Sequence, residues 1–181
     1  MSPWLALAPL SFFVAYLAAA LQNGTGADSL WMCHVSNLIL AAGIAGRWPR
    51  VIGLAVCWIV VGIPLWLYDM VQTGEVTVVS VLSHLGGLAF GMYALRRVRI
   101  SYNPWLPALV VYLVVQQACR WFTPAELNVN LAHRAYEGWD RLPGGYAAYW
   151  LGLTLTGAMA LWATGRALIV LFPERHAGEA T

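Results

Sequence analysis

Residues 51–70 read VIGLAVCWIVVGIPLWLYDM, twenty residues that carry a single charged side chain, Asp69. A helix rises about 1.5 Å per residue and the hydrocarbon layer of a bilayer is about 30 Å thick, so a block of this length and composition reads as a membrane span. Working outward, the rest of the chain repeats the pattern: long apolar blocks parted by short polar joints, with none of the alternation of half-buried strands. The spans are expected at about 3–22, 29–46, 51–70, 75–95, 104–122 and 145–171. The chain is thus expected to be all-α: a polytopic bundle of six transmembrane helices forming a single domain over residues 1–181.

Composition agrees, with 60% hydrophobic and only 10% charged residues where a water-soluble chain carries about one-quarter. The net charge of +2 and the placement of basic residues at block ends exclude a phosphate-tracking stripe, so no nucleic acid is expected as a partner. Cys33, Cys57 and Cys119 form no CxxC pair, which predicts no disulfide framework and no metal site; no cofactor is expected either. The first apolar stretch, from Pro3 to Leu21, is longer than a signal-peptide core and reads as a retained span. Every one of the ten cations is Arg, which we read as the codon bias of a GC-rich bacterial genome and hence as a multi-pass protein of a bacterial inner membrane.

The joints set the orientation. Arg47 and Arg50, then Arg96, Arg97 and Arg99, then Arg166 and Arg175 fall on one side, while Asp28, Asp69 and Glu75 fall on the other, so both termini are expected in the cytoplasm. Asp28 or Ser29 is expected to cap the second span, Pro64 to kink the third, and the covering joint 123–144 to fold back over the bundle. Arg120 is expected to anchor at the interface and pair with Glu126 or Asp69.

Polar groups inside a span cost several kcal/mol in hydrocarbon unless they are paired, so they mark the bundle interior. The second span carries Cys33, His34, Ser36 and Asn37, and the fourth carries Ser80, Ser83 and His84. Cys33, Ser36 and Asn37 share a helical face, with His34 rotated by about 100°. If Cys33 is a nucleophile its base must come from across the bundle, and His84 is the expected one; His133 in the covering joint is second choice. With Asn128 and Asn130 these residues are expected to converge on a cavity in the extracytoplasmic half.

The order Cys33-His34, a short basic return, Ser83-His84, Asn128-Val-Asn130 and then Gly144-Gly145-Tyr146 to Trp150 resembles the YwaF-like bacterial membrane proteins. It is similar also to the related eukaryotic Cys/His acyltransferase family that remodels ether phospholipids. The resemblance covers about residues 29–170 and implies a Cys nucleophile at Cys33, a catalytic histidine at His84 and a polar position at Asn130. Ser83-His84-Leu85-Gly86-Gly87 is similar to the histidine span of rhomboid proteases, but the Gly-x-Ser-Gly nucleophile those enzymes need is missing from the earlier spans.

Two functions follow as expectations. One is an intramembrane lipid-modifying enzyme, with membrane lipid as its partner, that transfers an acyl chain through a Cys33 thioester. His84 would serve as base, Asn128 or Asn130 would stabilise the oxyanion, and His34, Asn37 and His133 would line the substrate site. The other is a non-enzymatic six-span module, a vitamin-transporter-like substrate-binding subunit or a subunit of a membrane complex, forming a homo-oligomer or docking a membrane partner through small residues such as Ala15, Ala19, Gly87 and Gly91.

Overall fold

The computed structural model describes residues 1–139, 141 and 143–173; Arg175, used above for orientation, lies outside them. Among the described residues six principal helices follow one another: α1 Leu7–Gln22, led in by a 3-10 turn at Pro3–Ala6, α2 Met32–Gly46, α3 Pro49–Thr73, α4 Val78–Val98, α5 Trp105–Phe122 and α6 Gly145–Leu171. No strand ladder forms among the described residues, only an isolated bridge between Ile100 and Pro173. Four helices, Pro3–Gln22, Pro49–Thr73, Val78–Val98 and Gly145–Leu171, are long and apolar enough to cross a membrane, which fits a multi-pass membrane protein. α2 is apolar but shorter, and α5 is outside those four. Gln116, Gln117 and Arg120 dilute the last turns of α5.

α3 is the axis of the bundle. Its residues Ile52, Gly53, Leu54, Ala55, Val56, Cys57, Trp58 and Ile59 are all buried, so the helix is enclosed on every side over two turns by α2, α4, α5 and α6. Small residues allow this. A Cβ added to Gly43 would come 3.0 Å from the backbone nitrogen of Ile52, and one added to Gly91 would come 2.6 Å from a Val56 methyl. The outward faces stay apolar, with Val71 and Phe122 each 80% exposed and Val170 73% exposed, an arrangement suited to lipid and costly in water.

One local expectation is corrected. Neither Asp28 nor Ser29 caps α2: a 3-10 turn over Gly26–Leu30 consumes that segment, and the free N–H of Met32 is taken instead by Asn130 Oδ1 at 2.9 Å. Pro64 lies within α3, which continues to Thr73 and ends on Gly74 in the left-handed conformation.

Candidate functional site

α2 and α4 meet through side chains that apolar solvent would not tolerate singly. Asn37 is fully buried on α2 and donates through Nδ2 to the Ser83 carbonyl at 2.9 Å and to Ser83 Oγ at 3.1 Å. Ser83 Oγ also lies 2.8 Å from His34 Nδ1 and hydrogen-bonds to it. Ser83 and His84 occupy a π-helical turn, Leu82–Gly86, where the wider winding changes the phase of α4 and turns both side chains inward. Gly87 follows because Asn37 leaves no room for more: a Cβ there would lie 2.5 Å from Asn37 Oδ1.

Aromatic rings from two further helices close the cluster. Tyr16 of α1 stacks on His34 with centroids 3.4 Å apart, and Trp66 of α3 stacks on His84 at 4.4 Å, nearly parallel. The imidazoles of His34 and His84 lie edge to face, 5.5 Å between centroids. Trp66 Nε1 donates to Ser80 Oγ, and His84 Nδ1 faces the Ser80 carbonyl, each at 2.8 Å. A carbonyl only accepts, so Nδ1 of His84 carries the proton and Nε2 presents a lone pair. That Nε2 is buried without a partner, as is Asn37 Oδ1.

Cys33 is placed differently from its expected face-mates. His34, rather than Cys33, joins Asn37 at Ser83, while Cys33 turns toward α3, where a Cβ on Gly62 would lie 3.5 Å from that of Cys33. Gly62 and Trp66 are four residues apart and share a face, so Cys33 and His84 lie against one stripe of α3 about a turn apart. Cys57 and Cys119 are buried, and Cys33 is the cysteine with partial exposure.

The covering joint is tied to this region through its asparagines, and both amides are already engaged. Asn130 donates to the Leu30 carbonyl at 2.8 Å and to Cys119 Sγ at 3.4 Å while accepting from Met32 N–H. Its own carbonyl accepts from Gln116 Nε2 at 3.0 Å, and Gln116 Oε1 accepts from Trp150 Nε1 at 2.7 Å. Asn128 Oδ1 accepts from the backbone N–H groups of His133 and Arg134, and its Nδ2 donates to the Arg134 carbonyl. These two residues build the joint and hold α2; the expected oxyanion role would require breaking those bonds. His133 Nε2 is buried in the joint with no hydrogen-bond partner among the described residues. Arg120 places its guanidinium over the Tyr146 ring, 5.4 Å from the centroid, rather than on the acids expected for it. No group of three His, Cys, Asp or Glu among the described residues could hold a metal ion.

Tyr16 and Trp66 were not expected here. An aromatic residue in an apolar run looks like core or interface, and only the fold shows it stacked on a histidine. Comparison with protein-family models, with curated proteins and with solved structures finds no match to this chain.

Proposed function

We propose that this chain is an intramembrane lipid-modifying enzyme that moves an acyl chain between lipids through a thioester on Cys33, with His84 as the proton carrier. The observation that carries the reading is the unpartnered, buried Nε2 of His84, held as a base by Ser80 and Trp66 one turn along α3 from a partly exposed cysteine. Six crossings complete the reading, with α5 as one and with α2 plus the 3-10 turn before it as another. Both termini lie on the cytoplasmic side of a bacterial inner membrane. The α2–α3 return and the end of α4 carry Arg47, Arg50, Arg96, Arg97 and Arg99, and the opposite end carries Asp28, Asp69 and Glu75.

The chemistry balances as two transfers. His84 Nε2 takes the Cys33 thiol proton and the sulfur attacks the donor ester; a C–S bond forms, the C–O bond breaks, and the departing alkoxide takes the proton from His84. In the second half His84 takes the hydroxyl proton of the acceptor lipid, whose oxygen attacks the thioester, and the released sulfur regains the proton. The Cys33 backbone N–H, in the first turn of α2 with no carbonyl of the helix behind it, is the donor available to each oxyanion.

A lipid-tailed iodoacetamide offered to membranes bearing the chain is expected to label the peptide containing Cys33. Cys33→Ala should abolish that label, while Cys57→Ala and Cys119→Ala should keep it. Undiminished labelling of Cys33→Ala, with a partner copurifying in fixed ratio and no lipid turnover by the isolated chain, would move the reading to a non-enzymatic binding subunit.

A further inference from the structure

At the end of the bundle away from the histidines, the α2–α3 return and the α4–α5 joint flank an open cavity of about 440 Å³ lined by Trp48, Arg50, Arg99, Ser101 and Tyr102. We propose that this cavity binds a phosphate group, supplied by the headgroup of a phospholipid in the adjoining membrane face. The inference is independent of any chemistry at Cys33.

Among the described residues its lining carries two guanidinium groups and no carboxylate, a balance that favours a resident anion. Arg50 is held against the wall, its Cζ 5.4 Å from the centroid of the Tyr102 ring. Tyr102 keeps its hydroxyl buried, with no hydrogen-bond partner among the described residues. Burial pushes that phenol up to about 12, only partly offset by Arg50, so it remains a donor at neutral pH. Arg99 sits at φ 60°, a conformation rare outside glycine. It is fixed there by its own N–H on the Leu95 carbonyl and by the Ile100 N–H on the Phe172 carbonyl.

The backbone adds to the field. α3 starts at Pro49 with no side-chain cap, and its first intrahelical acceptor serves Ile52, which leaves the Arg50 and Val51 N–H groups at the positive end of a 25-residue helix. The lipid source follows from position, because the site lies at the ends of apolar helices beside Trp48, whose 57% exposed indole suits headgroup depth.

The test is native mass spectrometry of the full chain titrated separately with phosphatidylglycerol, with diacylglycerol of the same acyl chains and with inorganic phosphate. Wild type should hold phosphatidylglycerol, and the Arg50→Gln/Arg99→Gln double variant should bind it about tenfold more weakly or worse. Tyr102→Phe, which keeps the ring under Arg50, should lose about threefold and serves if the double variant does not fold. Inorganic phosphate that displaces the lipid, and that itself binds wild type but not the variants, would uphold the phosphate site with a soluble source. Phosphatidylglycerol binding unchanged in the variants, or diacylglycerol bound by wild type as tightly as phosphatidylglycerol, would overturn it.

Discussion

Asn130→Ala is expected to lower the stability of the folded chain by about 3 kcal/mol, a large effect for one surface joint. The loss has three parts. The Met32 N–H, at the start of a helix and in a residue only 4% exposed, loses its acceptor, at about 1–3 kcal/mol for an unpaired buried donor. The Leu30 carbonyl loses its donor as well. Asn130 also stands at φ 53°, where alanine is strained by roughly 1 kcal/mol relative to glycine. Asn130→Gly should therefore be milder than Asn130→Ala by about that amount, although it removes the same bonds. Unfolding midpoints in detergent would read both variants; equal damage from glycine and alanine would show that the backbone conformation is not part of the effect.

His84→Phe is expected to reduce acyl transfer by about two to four orders of magnitude, the usual contribution of a positioned general base. Phenylalanine can keep the stack against Trp66 and is only modestly larger than histidine, so the unfolding midpoint should carry the lost bond to the Ser80 carbonyl, about 1 kcal/mol, and shift less than the rate. His84→Ala should lose both rate and stability, because it leaves a cavity beside Trp66 in addition to removing the base. Initial rates with a radiolabelled phospholipid donor in proteoliposomes separate these effects. A His84→Phe chain that retains wild-type turnover would assign the buried imidazole to packing alone.

The helices were legible because contiguous apolar blocks need no tertiary knowledge: the block expected at 145–171 is one helix with those bounds, and 104–122 differs by a residue. The start of α2 was not legible, since its capping oxygen comes from Asn130, 98 residues away. Helical spacing correctly separated His34 from Cys33, but periodicity cannot tell which of two polar faces meets α4, and the fold gives Ser83 to His34. The π-helical turn at Leu82–Gly86 breaks the 3.6-residue phase on which any such reading of Ser83 and His84 depends. Tyr16 and Trp66 carried no local signal at all. The arginines of the cavity at the start of α3 were visible as orientation markers, and only the fold brings Arg50 over Tyr102 with Arg99 in the same lining.

The claim that Cys33 and His84 work as one site is tested most directly by the intact mass of the purified chain, quenched in acid within a single turnover of a defined phospholipid donor. The wild-type chain should gain one acyl mass, removable by neutral hydroxylamine and mapped to the peptide bearing Cys33, and His84→Phe should accumulate far less of it in the same time. An acyl adduct that persists in Cys33→Ala, or one that forms equally fast without the His84 imidazole, would contradict the account.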